Sequence, residues 1–438
     1  MKEKLKEIIK DFHKGTLPRT KKRNLEIPLE SQKIITVSGV RRSGKTFILF
    51  ETMKRLLKAE IPKENILYIN FEDERLDFKK ETLDLIMQAY RELYPDANLA
   101  ECHFFFDEIK NVDGWEKFVR RLYDSVTKNI FITGSNSKLL SKEIATSIRG
   151  RTITYEAYPL SFDEFLDFNG INIDLYHSKS RAKIANLFEK FLFQGGFIGI
   201  ANINDKSLQV KILQDYFDTM LYRDLIERFH ITNIPALKYF IKRIFENITN
   251  PLSVHKIFNE LKSQGYKIGK NILYDYMEAS SAMYLFILEK KYARSVIKEE
   301  LGEKKSYVID NGLLNAVTFK FSSDYGKLLE NLIFLEFQKK GYKTFFYKDK
   351  RECDFVLYDA RGEKAAIQVC AYISDTDTRK RESEGLAEAC ESLKIKTGYI
   401  LTLSHEESIA YKGLTIRVEP AFKFLLSKAF TALNFNPD

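Results

Sequence analysis

One segment limits the possible folds of this chain more than any other, the run Gly39-Val40-Arg41-Arg42-Ser43-Gly44-Lys45-Thr46. It has the spacing of a P-loop, follows the apolar run Ile34–Val37 and precedes a helical pattern at Thr46–Leu57. In such a loop, backbone N–H groups and a helix N-terminus surround phosphate groups. We expect Lys45 to reach the β- and γ-phosphates and the Thr46 hydroxyl to bind Mg²⁺. The candidate nucleotide-binding residues are these eight and Phe47.

Strand and helix patterns alternate from Lys33 to about Tyr158. Short apolar runs at 66–71, 102–106 and 129–133 are separated by stretches that include a helical pattern at 83–93. This alternation predicts βαβ units around a parallel sheet. A wholly apolar run such as Phe104–Phe106 suits a strand that is buried on both faces.

Two carboxylates follow one of these apolar runs, Asp107 and Glu108. The carboxyl end of such a strand would lie beside the P-loop. There Asp107 would hold Mg²⁺ through water, and Glu108 would orient and polarise an attacking water molecule. The alternative for either acid alone is a strand cap without chemistry.

The run Ile130–Asn136 predicts a further strand that ends in small polar residues. Thr133 and Ser135 are candidates for sensing the γ-phosphate, and the alternative is a simple turn at the strand exit. Arg149 and Arg151 follow, and either could neutralise transition-state charge in the same chain or in a neighbouring subunit. Surface charge is the alternative for both arginines.

The later chain is organised differently. Helical spacing dominates to about Asn250, and then two short helices, at 253–262 and 271–280, precede a charged hairpin at 285–293 and 304–309. Helix, turn, helix and hairpin is the layout of a winged helix. The N-terminal arm shows one amphipathic helix, for which docking on the first domain is favoured over nucleic-acid binding.

Composition excludes several classes of protein. The longest apolar run, near Ala282–Leu288, is far shorter than the ~20 residues of a membrane helix, and four scattered cysteines form no disulfide framework. We therefore expect a cytoplasmic protein that does not enter a membrane. The net charge of +9 permits nucleic-acid binding but does not establish it.

The chain resembles the AAA+-type P-loop ATPases of bacteria and archaea that carry a C-terminal domain of unknown function. The P-loop, the acids after the third strand and several further motifs carry the resemblance, namely Asn70-Phe71-Glu72-Asp73, Gly114-Trp115-Glu116, Pro159-Leu160-Ser161-Phe162, Gly195-Gly196-Phe197, Arg223-Asp224-Leu225 and Ile309-Asp310-Asn311-Gly312. It implies ATP binding, a winged-helix section and a restriction-endonuclease-like domain at the end.

A multidomain α/β architecture follows from the patterns and the resemblance together. The expected regions are an N-terminal helical arm (1–32), an AAA+ P-loop ATPase domain (33–165), a helical lid or linker (166–250), a winged-helix domain (251–322) and a restriction-endonuclease-like domain (323–438).

A nuclease-like core needs a helix carboxylate, an Asp and then an acid-x-Lys on the next strand, so that carboxylates hold Mg²⁺. This chain offers Glu330 and Asp354, but Gln368 stands in place of the second acid and Cys370 in place of the lysine. Gln is a weak ligand for a hard cation, and Cys cannot replace an ammonium. We therefore expect a domain that binds or docks without cleaving DNA.

The sequence predicts a Mg²⁺-dependent ATPase that couples nucleotide state to the appended domains. One alternative is a nucleotide-gated module that binds DNA or protein with negligible turnover, and another is an ATP-driven DNA endonuclease. DNA would contact the winged helix, a protein partner is the competing expectation, and oligomers are compatible with either. The candidate phosphate-contacting residues are Lys267, Lys270, Lys290, Lys291, Arg294, Lys298, Lys304 and Lys305.

Overall fold

The computed structural model describes residues 1–135, 148, 150–318, 324–359, 361–362, 364–427 and 430. The chain forms two compact units, Met1–Tyr158 and Pro159–Asp438. Two residues of the motifs described above, Asn136 and Arg149, lie outside the described residues. None of the helices in these ranges combines the length and the apolarity that crossing a bilayer requires.

A five-stranded sheet forms the centre of the first unit. Its strands lie in the order β2-β3-β4-β1-β5, and every described pairing is parallel. The strands are β1 (Ile34–Gly39), β2 (Ile66–Asn70), β3 (His103–Asp107), β4 (Ile130–Gly134) and β5 (Thr152–Ala157). The helices are α1 (Lys2–Lys14), α2 (Lys45–Lys58), α3 (Asp84–Leu93) and α4 (Trp115–Ser125). This arrangement confirms the predicted parallel-sheet α/β domain.

The sheet is buried because its central strands are apolar on both faces. All residues of β1, β3 and β4 are buried, as expected for parallel strands covered by helices. The N-terminal helix α1 contributes Leu5 and Ile9 to the same core. Lys2 and Lys6 of this helix pair with Glu92 of α3 at 2.7 and 2.6 Å. The docking of the arm on the first unit therefore agrees with the favoured interpretation of its pattern.

Helices and one large mixed sheet form the second unit. The helices are α5 (Phe162–Phe168), α6 (Ser178–Gln194), α7 (Lys206–Thr219), α8 (Ile234–Glu246), α9 (Val254–Ser263), α10 (Lys270–Ala282), α11 (Val296–Leu301), α12 (Asn311–Thr318), α13 (Tyr325–Lys339), α14 (Thr376–Leu393) and α15 (Ala421–Leu425), with a π-helix at Met220–Glu227. The strands are β6 (Phe286–Lys291), β7 (Lys304–Val308), β8 (Lys343–Lys348), β9 (Glu352–Tyr358), β10 (Lys364–Val369), β11 (Thr397–Thr402), β12 (Glu407–Tyr411) and β13 (Leu414–Pro420).

The predicted hairpin is present as β6 and β7, but it belongs to this larger sheet. The strand order is β12-β13-β11-β10-β9-β8-β6-β7, and Lys290 and Lys291 of β6 pair in parallel with Phe345 and Phe346 of β8. The sheet therefore crosses the boundary expected between 322 and 323. The sequence could not show this, because any strand with a free edge can pair with another and the pairing partner leaves no local pattern. The winged-helix and nuclease-like assignments stay predictions.

A buried joint connects two motifs of the second unit, Gly195-Gly196 and Asp310-Asn311-Gly312. The Asp310 carboxylate accepts hydrogen bonds from Gly196 N at 2.7 Å and from Leu313 N at 3.0 Å. A Cβ atom on Gly312 would lie 1.8 Å from Gln194 O, so only glycine fits this position. Burial raises the pKa of Asp310 to about 6, despite these hydrogen bonds. The two motifs thus have a packing role.

Candidate nucleotide-binding site

The P-loop connects the end of β1 to the start of α2. Gly39 lies so close to β5 that a Cβ atom there would be 2.1 Å from Ala157 O. Gly44 precedes α2 with φ of 92°, and Arg42 has φ of 67°, which is unusual for a residue other than glycine. The loop thus brings backbone N–H groups and the N-terminus of α2 to one place, which suits an anion.

Lys45 begins α2 and turns its side chain back into the loop. Its ammonium lies 3.2 Å from Gly39 O and 3.3 Å from Val40 O, and 3.1 Å from the Glu108 carboxylate. Only 5% of the residue is exposed. The lysine therefore faces the acid that follows β3, although 63 residues separate the two in the sequence.

Asp107 ends β3 and is buried among hydroxyl groups. Thr133 Oγ1 donates to Asp107 Oδ1 at 2.5 Å, and Tyr68 OH donates to Asp107 Oδ2 at 3.1 Å. Burial raises the pKa of Asp107 above its ordinary value, although hydrogen bonds from Thr133, Thr46 and Tyr68 oppose this shift. Thr46 therefore lies beside the carboxylate with which it was expected to share Mg²⁺.

Glu108 occupies a left-handed backbone conformation, with φ of 53° and ψ of 35°. Its backbone N–H donates to Thr133 Oγ1 at 2.8 Å. Burial would raise the pKa of its carboxyl, but the charge and hydrogen bond of Lys45 hold that pKa below its ordinary value. The Glu108 side chain is thus an ionised carboxylate at neutral pH, and Thr133 connects both acids.

The other predicted loop residues differ in their surroundings. The hydroxyl of Ser43 is buried and has no hydrogen-bond partner among the described residues. Arg41 pairs with Glu72 at 3.2 Å. Phe47 is exposed on the first turn of α2, whereas Ser135 is buried just beyond β4. The unpartnered serine hydroxyl, the lysine and the loop N–H groups fit a bound phosphate group, and Thr46 with Asp107 fits Mg²⁺.

Arg151 is not part of this cluster within the chain. It directly precedes β5, which pairs in parallel with β1 from Ile34↔Thr152 to Gly39↔Ala157. Five residues of strand, about 17 Å, therefore separate the edge that carries Arg151 from the edge that carries the P-loop. Its guanidinium pairs with Asp124 at 3.0 Å. Any role for Arg151 in charge neutralisation would require a neighbouring subunit.

Tyr68 contacts the candidate site through Asp107, which the sequence did not predict. It lies in β2, which pairs with β3 in the register Asn70↔Asp107. The available signal was a hydroxyl-bearing residue within the apolar run Ile66–Ile69. That signal is weak, because tyrosine is common in strands and the strand neighbour was not known.

The acids expected in the C-terminal domain also come together. Lys305 lies 3.2 Å from Glu330 and 3.4 Å from Asp354. Gln368 Nε2 donates to Glu382 at 2.6 Å, and Cys370 Sγ contacts Tyr372 O at 3.1 Å. Gln368 and Cys370 are therefore occupied by contacts within the protein.

Two of the lysines expected to contact DNA are engaged elsewhere. Lys305 is 1% exposed and is surrounded by carboxylates, so it cannot reach a phosphate backbone. The expectation that it contacts DNA is therefore wrong. Lys290 pairs with Glu300 at 2.6 Å and with Glu299 at 3.7 Å. These two acids lie on α11, between the strands of the hairpin, and reduce the positive charge of β6 by direct contact.

Comparison with known proteins agrees with the first unit. Residues 31–166 match the AAA domain family, and residues 185–324 and 325–418 match two domains of unknown function, DUF8612 and DUF4143. An uncharacterized protein of Methanocaldococcus jannaschii is 37% identical over 419 residues, which cover 92% of this chain and 91% of that protein. The chain belongs to this family of AAA-domain proteins. An uncharacterized protein of Haemophilus influenzae is 33% identical over 390 residues, which cover 87% of this chain and 92% of that protein.

The family combines a nucleotide-binding AAA+ P-loop domain with C-terminal domains of unknown function. Two solved structures show distant similarity, the Aeropyrum pernix ORC1 protein in complex with DNA and Cdc6p from Pyrobaculum aerophilum. They cover 73% and 65% of this chain and 91% and 85% of their own, at 9% and 14% identity and TM-scores of 0.29 and 0.26. Similarity at this level does not show what this chain binds.

Proposed function

We propose that the chain binds ATP with Mg²⁺ and hydrolyses it. The observation that supports this most is the buried polar network behind the P-loop. Lys45 contacts Glu108, and Thr133 contacts both Glu108 and Asp107. Burying two carboxylates and an ammonium is costly unless a function or a full set of partners compensates.

Lys45 would bind the β- and γ-phosphates, and the loop N–H groups with Ser43 would complete the phosphate contacts. Thr46 and Asp107 would hold Mg²⁺, which neutralises phosphate charge when it is bound. A phosphate that attracts Lys45 competes with Glu108 for the same ammonium. Glu108 would then be released from its ion pair to accept a hydrogen bond from the attacking water.

The left-handed conformation of Glu108 supports this role. A residue other than glycine at φ of 53° carries a strain of about 1–3 kcal/mol. The hydrogen bond from Glu108 N to Thr133 Oγ1 holds the residue in this conformation. Such strain persists at functional sites because it fixes a side chain where the chemistry needs it.

Two substitutions separate binding from chemistry. Lys45→Ala should weaken ATP binding, because the phosphates lose their cationic partner. Glu108→Gln should retain binding but slow hydrolysis by ~10²–10⁴-fold, because an amide cannot polarise water as a carboxylate does. Nucleotide affinity is measured by titration calorimetry and turnover by phosphate release.

Glu101→Gln is the matched control, because Glu101 is an exposed acid at the opposite end of β3. It should leave both affinity and turnover unchanged. Equal ATP affinity in wild type and Lys45→Ala would contradict the nucleotide site. Wild-type turnover in Glu108→Gln would contradict the role given to that carboxylate.

The same phosphate-release assay decides between the functional alternatives. Tight ATP binding without turnover in the wild type would favour a nucleotide-gated binding module. Added duplex DNA, single-stranded DNA and RNA test the partner class, because a partner coupled to nucleotide state should change the rate. A rate of phosphate release per molecule that rises with protein concentration would support an oligomer in which Arg151 reaches a neighbouring subunit.

A further inference from the structure

A single lysine lies at the centre of the acidic cluster in the second unit. Lys305, on β7, places its ammonium 2.8 Å from Glu352, 3.2 Å from Glu330 and 3.4 Å from Asp354. Only 1% of its side chain is exposed. The three carboxylates come from β9 and α13, so the lysine joins the hairpin to two other elements.

A fourth carboxyl group faces the same cluster. Glu289 of β6 lies directly opposite Lys305 in the hairpin register, and 2% of it is exposed. Both of its carboxyl oxygens are buried, and the side chains of Thr344 and Tyr307 are its polar neighbours. With this fourth buried acid, the cluster holds more carboxyl groups than one ammonium can neutralise.

The protonation behaviour of the cluster agrees with this shortage of positive charge. Burial raises the pKa of Glu289 well above its ordinary value, and burial with the neighbouring Asp354 raises the pKa of Glu330 to about 8. Burial opposes the charge of Lys305, but Glu330, Asp354 and Glu352 raise its pKa well above the ordinary value. The lysine therefore stays charged while some of the acids become neutral.

The residues do not fit the divalent ion that a nuclease-like domain requires. Lys305 already occupies the point on which Glu330 and Asp354 converge, and a divalent cation there would face an ammonium at contact distance. Gln368, at the position of the second acid, accepts from Asp354 N at 3.1 Å. With Lys305 in place, no group of three or more His, Cys, Asp or Glu side chains within the described ranges is arranged to hold a metal.

We propose that the Lys305 ammonium takes the cation position of this carboxylate cluster and excludes divalent metal from it. The second unit thereby keeps an acidic cluster without metal-dependent chemistry. The lysine comes from the hairpin and not from the segment β10 to Cys370, so it does not restore the missing acid-x-Lys pattern. Its effect is to lock β7 against β9 and α13.

The test compares Mn²⁺ binding by full-length protein without nucleotide. Free Mn²⁺ is measured by electron paramagnetic resonance for wild type, Lys305→Met and Lys305→Met with Asp354→Asn. Lys305→Met should bind one Mn²⁺ at least tenfold more tightly than wild type, because the carboxylates lose their resident cation. The additional Asp354→Asn change should remove that binding, which assigns it to this cluster and not to the P-loop.

Two results would overturn the proposal: equal Mn²⁺ affinity of wild type and Lys305→Met, or binding by Lys305→Met that survives Asp354→Asn. If Lys305→Met does not fold, Lys305→Gln is used in its place. The melting temperature of wild type then tests independently whether the native cluster holds a metal. Wild type should melt at the same temperature with Mn²⁺ and with chelator. A rise in melting temperature with Mn²⁺ that Asp354→Asn abolishes would show that the native cluster holds a metal.

Discussion

Replacing Thr133 by valine should destabilise the first unit and disable its candidate site. The two side chains have the same shape, so the substitution removes the hydroxyl with little change in volume. That hydroxyl donates to Asp107 at 2.5 Å and accepts from Glu108 N at 2.8 Å. Valine leaves a backbone N–H and a buried carboxylate each short of one partner.

The magnitude follows from these two contacts. A buried polar group left unsatisfied costs about 1–3 kcal/mol, so the two groups together should lower the free energy of unfolding of Thr133→Val by about 2–6 kcal/mol. Relaxation of Glu108 from its strained conformation would return part of this energy. The same relaxation would move the carboxylate away from Lys45, so ATP turnover should fall as well.

Unfolding of the first unit can be followed by itself. The chain has one tryptophan, Trp115, which is buried in α4 of that unit. Its fluorescence in a urea titration therefore reports the first unit. Thr133→Ser is the matched control, because it keeps the hydroxyl and loses one methyl group, at a cost of about 1 kcal/mol. Two results would refute the reasoning. One is a free energy of unfolding of the valine variant within ~0.5 kcal/mol of wild type, and the other is a loss in the serine variant as large as that in the valine variant.

Two further predictions concern the buried joint of the second unit. The pKa of Asp310 is raised from 3.8 to about 6 in the folded protein, so folding favours the protonated carboxyl group. The stability from this proton is fully present below about pH 4 and is lost as pH rises through about 6. The free energy of unfolding should fall by about 3 kcal/mol over that range. In urea unfolding followed by circular dichroism, the decline should be larger in wild type than in Asp310→Asn by about this amount, because other buried acids such as Glu330 titrate in both proteins. Parallel pH profiles of the two proteins would contradict the prediction. Gly312→Ala should prevent stable folding of this unit, because its Cβ would lie 1.8 Å from Gln194 O. The control Gly269→Ala, which meets nothing within 4 Å, should melt near the wild-type temperature, and similar melting of both variants would argue against the steric reason.

The fold of the first unit could be predicted from the sequence because its patterns are local. A P-loop lies within eight residues, and a strand buried on both faces shows as an unbroken apolar run such as Phe104–Phe106. The expected parallel sheet is confirmed, and the structure brings together Lys45, Asp107, Glu108 and Thr133. Their functional roles stay predictions.

What the sequence could not show depends on which strands become neighbours. Tyr68 reaches Asp107 only because β2 lies beside β3, and Lys305 reaches Asp354 only because the hairpin joins the C-terminal sheet. Arg151 follows the site motifs along the chain, but the parallel course of β5 places it at the opposite edge of the sheet. Distant pairing leaves no periodic pattern in the residues that it connects.

The shared sheet of the second unit has a consequence for how this chain can be cut into fragments. The two matched domains of unknown function meet at residues 324 and 325, between the hairpin and β8. A fragment that stops there would keep Lys305 and Glu289 and lose Glu352 and Asp354, which leaves ionisable groups without their counterparts and the edge of β6 uncovered. We therefore expect residues 185–324 and 325–418 of this chain to fold as one unit, and a cut between them to destabilise both parts.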